Sequence, residues 1–126
     1  MAAAARELGS RRRDVMIAIQ LESRDKEGAQ QELAQNLSRL RTGHIDVVTF
    51  YYVEHRGEWE EIVGAKGALP AMKQAQEQGA VRLIGLTTHQ RQLGEEILRS
   101  RELDLLMVRY NAAHRSAETS LLPIAQ

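Results

Sequence analysis

Asp14 to Leu21 (DVMIAIQL) is a short apolar run with β-branched residues, the pattern of a strand buried on both faces. After a charged stretch, Ala29, Leu33, Leu37 and Leu40 recur at helical spacing. Asp25 or Ser23 can cap that helix, and Gly43 can end it. Ile45 to Val53 (IDVVTFYYV) reads as a second buried strand, and Trp59, Ile62 and Val63 as a short helical turn. A longer helix carries Leu69, Met72 and Ala75, with Pro70 in its first turn and Gly79 as its stop. Val81 to Thr87 (VRLIGLT) is the third strand, followed by a helix around Leu93, Ile97 and Leu98. Leu103 to Tyr110 is the fourth strand, and Ser116 to Gln126 begins a last helix.

Strands and helices that alternate with connections this short predict right-handed crossovers and a parallel sheet. Four strands do not close an eight-stranded barrel, which takes about 250 residues. The pattern therefore predicts one α/β domain over residues 1–126: an open sheet, or part of a (β/α)-barrel whose edges need covering.

Composition narrows the classes. Lys plus Arg equals Asp plus Glu, 17 against 17, so charge gives no reason to expect nucleic acid or an anionic membrane as partner. An apolar share of 43% and a mean hydropathy of −0.41 fit a soluble globular chain. Cysteine is absent, which removes disulfides, thiolate metal sites and cysteine nucleophiles. No stretch approaches the ~20 apolar residues of a membrane span, and the expectation is a cytoplasmic protein. Met1 to Arg13 has its apolar residues before Arg11, Arg12 and Arg13, the reverse of a secretory signal; the tail of a helix or an amphipathic transit segment fits that order.

In parallel α/β folds ligands gather at the carboxyl ends of the strands. Those ends are polar here: Gln20 after the first strand, and Tyr51, Tyr52 and His55 after the second. Thr87, Thr88 and His89 follow the third, and Tyr110, Asn111, His114 and Arg115 follow the fourth. Blander roles compete. Thr88 and His89 can cap the next helix, and one of the adjacent tyrosines is expected to pack in the core, since neighbours on a strand face opposite sides. His55 and His114 can be ordinary loop residues, and His55, His89 and His114 can be drawn as a three-histidine metal site. His44 precedes a strand and belongs to the opposite rim. No G-x-S-x-G elbow, P-loop or G-x-G-x-x-G fingerprint is present.

Three segments in order resemble the aldo/keto reductase family. LAQNLSRLRTGHIDVVTFYY (Leu33 to Tyr52) is similar to its leucine-spaced helix leading into an "ID" strand. GALPAMKQAQEQGAVRLIGLTTH (Gly67 to His89) resembles its helix, G-x-(V/I)-R-x-I-G strand and polar strand end. MVRYNAAHRSAE (Met107 to Glu118) looks like its strand ending in "YN". The resemblance implies an incomplete TIM barrel comprising strands three to six, and NADP-dependent reduction of a small carbonyl substrate with a tyrosine as general acid. That tyrosine and its supporting aspartate belong to a family segment with no counterpart here. By resemblance Gln20 stands for the catalytic lysine and Tyr51 for the catalytic histidine. Thr87 and Thr88 stand for the Ser-Asn pair that holds the nicotinamide carboxamide, and Met107 for a glutamine.

The substitutions change the chemistry. A lysine ammonium lowers the pKa of a neighbouring tyrosine, and the Gln20 amide carries no charge. Tyr51 can donate a hydrogen bond to a carbonyl oxygen, yet does not cycle through a cation near neutral pH. The residues that bind the 2′-phosphate follow the family's seventh strand, also without counterpart. The expectation is an oxidoreductase-derived domain that is inactive alone. Its competitors are a non-catalytic binding or scaffold half-barrel that self-associates, an enzyme completed by a partner chain, and a metal-dependent hydrolase on an open α/β fold.

Overall fold

The computed structural model describes Glu7 and residues 9–126; most of the amino-terminal segment read above as a helix tail or transit segment lies outside them. Four strands form one sheet: β1 (Ala18–Leu21), β2 (Ile45–Phe50), β3 (Val81–Thr87) and β4 (Leu105–Met107). Their order in the sheet is their order in the chain, and every neighbouring pair is parallel. Helices α1 (Lys26–Leu40), α2 (Arg56–Val63), α3 (Ala68–Glu77) and α4 (Arg91–Ser100) fill the connections, and a short α5 (Leu121–Ala125) closes the described chain. Among the described residues no helix is long and apolar enough to cross a membrane.

Register explains the two faces. Leu21, Phe50, Leu86 and Leu106 form one row across the sheet; the first three are fully buried, and Leu106 is half-buried. This side packs against Ala29, Leu33 and Leu40 of α1, Leu69, Met72 and Ala75 of α3, and Leu93 and Ile97 of α4. The adjacent row is Gln20, Thr49, Gly85 and Leu105, which alternation turns to the opposite face. On that face Leu105 lies over Gly85, where a Cβ would come within 2.8 Å of the Leu105 carbonyl oxygen. Gly85 is a packing glycine.

Several boundaries differ from the sequence reading. β1 begins at Ala18 because the Ile17 N–H donates to the Asp46 carboxylate (2.8 Å), and Asp14 ends a 3-10 helix (Gly9–Asp14). Nor is β1 buried on both faces: Ala18 and Gln20 are exposed, since this edge strand has no further neighbour to carry cover across its inner side. β4 is likewise an edge strand and keeps three residues of the eight expected. α1 ends at Arg41, which takes the left-handed conformation (φ 51°), and not at Gly43. Asp25 does cap its start, accepting from the Gly28 N–H at 2.9 Å. The last helix is split into a 3-10 turn (Ser116–Thr119) and α5, because Pro123 lacks an N–H and its ring would clash with a continuous turn before it. β3 and the Gly79 stop (φ 76°) fall where the pattern placed them.

Candidate functional site

Parallel register carries the ends of β1, β2 and β3 to one rim. There the Gln20 side-chain amide donates to the Thr87 hydroxyl at 3.2 Å, and that hydroxyl in turn faces the Met107 sulfur at 3.8 Å. Gln20, Thr87 and Met107 thus meet on the inner face, drawn from three strands. Thr87 is almost wholly buried, so its hydroxyl needs these partners.

Tyr51 and Tyr52 leave β2 differently from the alternation expected of a strand. Tyr52 adopts φ 45°, rare for a bulky residue, and both rings end about 40% exposed. The core position assigned to one of the tyrosines is taken instead by Val53, fully buried, whose N–H donates to the Thr87 carbonyl at 2.9 Å. The two rings meet edge to face (centroids 4.5 Å apart), and Tyr52 meets the His89 ring in the same manner at 4.7 Å. An aromatic strip therefore links the ends of β2 and β3.

A charged clamp holds this turn. Arg24, from the loop before α1, donates to the Tyr51 carbonyl (2.6 Å), to the Tyr52 carbonyl (3.4 Å) and to the Glu58 carboxylate (3.1 Å). The other Glu58 oxygen accepts from the Glu54 and His55 N–H groups at 2.9 and 3.0 Å. Burial raises the pKa of Glu58, but the Glu54 N–H, Arg24 and the His55 N–H together hold it below the usual value. Glu54 spans to the next strand end, accepting from the His89 N–H (2.8 Å) and the Gln90 amide (3.1 Å). Arg24, Glu54 and Glu58 were not among the residues singled out in the sequence, where they read as loop and surface charges; their polar positions just after strand ends were the available signal.

The remaining candidates separate. Thr88 is buried, accepts from the Gln90 N–H at 3.0 Å and has its methyl toward Gly94; α4 itself starts from Gln90 with no side-chain cap, so neither Thr88 nor His89 caps it as the sequence alternative had it. Tyr110 donates to Glu118 at 2.6 Å, a bond that raises the tyrosine pKa, and Arg115 holds the same carboxylate. Asn111 and His114 close a turn on each other's backbone, with the Asn111 side chain accepting from the His114 N–H. Among the described residues no three histidine or carboxylate side chains gather as a metal site, which removes the support for His55, His89 and His114 as ligands. On the opposite rim Asp46 is buried beneath Arg12 (2.8 Å) and His44 (3.5 Å).

The aldo/keto reductase family model matches residues 1–126, the whole chain. The chain belongs to the aldo/keto reductase family. Solved structures agree on the fold. Aldo-keto reductase AKR11C1 from Bacillus halodurans, in its holo form, superposes with a TM-score of 0.74 at 19% identity, over 91% of this chain and 41% of that one. The thermostable aldo-keto reductase Tm1743 gives 0.71 at 23% identity, over 94% and 43%. An aldo/keto reductase from Brucella melitensis gives 0.66 at 14% identity, over 86% and 43%. The chain thus spans roughly two-fifths of the length of these family members. Comparison with curated proteins gives no match. The four parallel strands are part of the family's TIM barrel.

Proposed function

We propose that this chain is the central part of an NADP-dependent carbonyl reductase barrel, with Gln20 and Tyr51 at the positions of the family's catalytic lysine and histidine. The observation that carries the reading is the Gln20–Thr87 hydrogen bond. It joins the residue in the lysine position to one in the carboxamide-holding position, from strands that are not neighbours in the sheet.

A nicotinamide, when bound, supplies the hydride. Thr87 fits its carboxamide: the hydroxyl has one donor and acceptor capacity, now turned to Met107 and Gln20, and both partners can release it. Thr88 has its hydroxyl engaged by the Gln90 N–H, leaving it a weaker share of that task. Tyr51 can donate to a carbonyl oxygen, and its ring packs edge to face on Tyr52. Gln20 brings no charge, so no group in this trio lowers the pKa of a proton-donating phenol. The chain by itself is therefore expected to be inactive, its remaining residues serving to position cofactor and substrate. Titrating the chain with NADPH and following cofactor fluorescence tests this: weak, saturable quenching that Thr87→Val weakens supports the reading, and no binding at millimolar cofactor removes it for this chain.

A second reading is a self-associating half-barrel in the cytoplasm. Its support is a cleft of about 500 Å³ beside the open β4 edge, lined by Leu103, Leu105, Leu121 and Leu122 with Arg101 and Asp104 among them. Light scattering after size exclusion tests it, and a monomer at high concentration would remove it.

A further inference from the structure

A second cleft, of about 200 Å³, lies between the loop after β3 and the loop after β4. Arg91, Arg109, His89 and His114 line it, together with Ser116 and a floor that includes the buried Ala117. The chain as a whole is charge-balanced, yet no Asp or Glu is among the residues lining this cleft. Among the described residues neither arginine lies within ion-pair distance of a carboxylate. The acidic groups nearby are engaged elsewhere: Glu54 by the His89 N–H and the Gln90 amide, Glu118 by Tyr110 and Arg115. Arg109 instead lies 3.5 Å from the His114 ring nitrogen, which accepts from the guanidinium in its unprotonated form, and this leaves the other N–H groups of Arg109 without a carboxylate partner. Arg91 also opens α4, an end where a helix disfavours a cation.

We infer that this cleft binds the phosphate group of a small organic phosphate ester, with Arg91 and Arg109 as its anchors. Guanidinium forks match phosphate oxygens in pairs, which a single carboxylate would leave half used. The imidazoles of His89 and His114 add donors, and the Ser116 hydroxyl adds one more. The volume exceeds that of a bare phosphate, and the apolar floor accommodates a few carbon atoms. The cleft shares Thr88 with the cofactor reading, but its anchors Arg91 and Arg109 lie outside the Gln20–Thr87 pair, and the inference does not rest on that reading.

The test is a backbone amide NMR titration of the whole chain with inorganic phosphate and with glycerol 2-phosphate, at ionic strength held constant with sodium chloride. The expected result is saturable shifts of His89, Arg91, Arg109 and Ser116, tighter for the ester than for phosphate. Arg91→Gln and Arg109→Gln, both at exposed positions, should each weaken binding by at least fivefold while leaving the unfolding midpoint unchanged. Shifts that grow linearly with concentration, or that persist in both variants, would overturn the proposal, as would tighter binding of acetate. Any variant that unfolds is replaced by the matching Arg→Lys change, which keeps the charge, loses the fork and should still weaken binding. A dihydronicotinamide without phosphate, 1-benzyl-1,4-dihydronicotinamide, added separately reports on the rim, so loss of one response without the other tells the two readings apart.

Discussion

The Gln20 amide donates to the Thr87 hydroxyl at 3.2 Å, although 67 positions separate them in sequence and the whole of β2 lies between their strands in the sheet. In the ladder Gln20 is level with Gly85, so the contact reaches the next inward-facing position along β3, the stagger expected where tilted strands build layers inside a barrel. It makes Gln20 and Thr87 the reference pair for every statement about the rim.

Gln20→Lys alone is expected to give no NADPH oxidation with a simple aldehyde, because no phenol in the role of proton donor is paired with that position. The spectrophotometric assay is direct, and aldehyde-dependent turnover by the variant would refute the assignment of roles.

Arg24→Ala is expected to destabilise the chain by about 1–3 kcal/mol, since it releases the Tyr51 and Tyr52 carbonyls and leaves the half-buried Glu58 without its cation. Arg24→Lys should recover little, because a point charge does not replace a fork that reaches two carbonyls and a carboxylate. Chemical denaturation of the three proteins checks both statements; full recovery by lysine would show that charge alone matters.

Asp46 anchors the opposite rim. Burial raises its pKa, but the Ile17 N–H, Arg12 and His44 more than offset this and hold it below the usual aspartate value. The sign follows: a carboxyl whose folded pKa is depressed contributes stability that is complete above the unfolded value and lost as pH falls through the folded one. Asp46→Asn should therefore cost about 2–4 kcal/mol at neutral pH, and the difference from wild type should shrink below about pH 4. Denaturation curves across that range decide it, and a gap that widens in acid would reverse the argument.

Gly85→Ala is expected to cost about 1–3 kcal/mol, because the new Cβ meets the side chain and carbonyl of Leu105. A drop in thermal midpoint with the sheet spectrum retained is the predicted outcome. An unchanged midpoint would mean that the β4 edge yields freely.

How much of this was legible follows from where each signal lies. VRLIGLT announced β3 because a Gly stop precedes it and polar residues follow, and parallel register then made Thr87 and Gln20 candidates for one rim. The true lengths of β1 and β4 were hidden, since an apolar run reads the same whether or not a neighbouring strand is there to pair with it. The left-handed turn at Tyr52 had no sequence signal either: neither glycine nor asparagine stands there, and Arg24 and Glu58, which hold the turn, look like ordinary surface charges. The split of the last helix was legible at Pro123, a signal the reading of Ser116 to Gln126 as one helix passed over.

The most direct test places the chain in a complete barrel. Residues 18–107 replace the matching segment of a full-length aldo/keto reductase, and NADPH-dependent aldehyde reduction is measured with and without Gln20→Lys and Tyr51→His. Negligible turnover is expected for the unaltered graft and at least a hundredfold gain when both residues are changed, roughly 2.7 kcal/mol in the barrier. Equal activity in the two grafts would contradict the placement of Gln20 and Tyr51 at the catalytic positions.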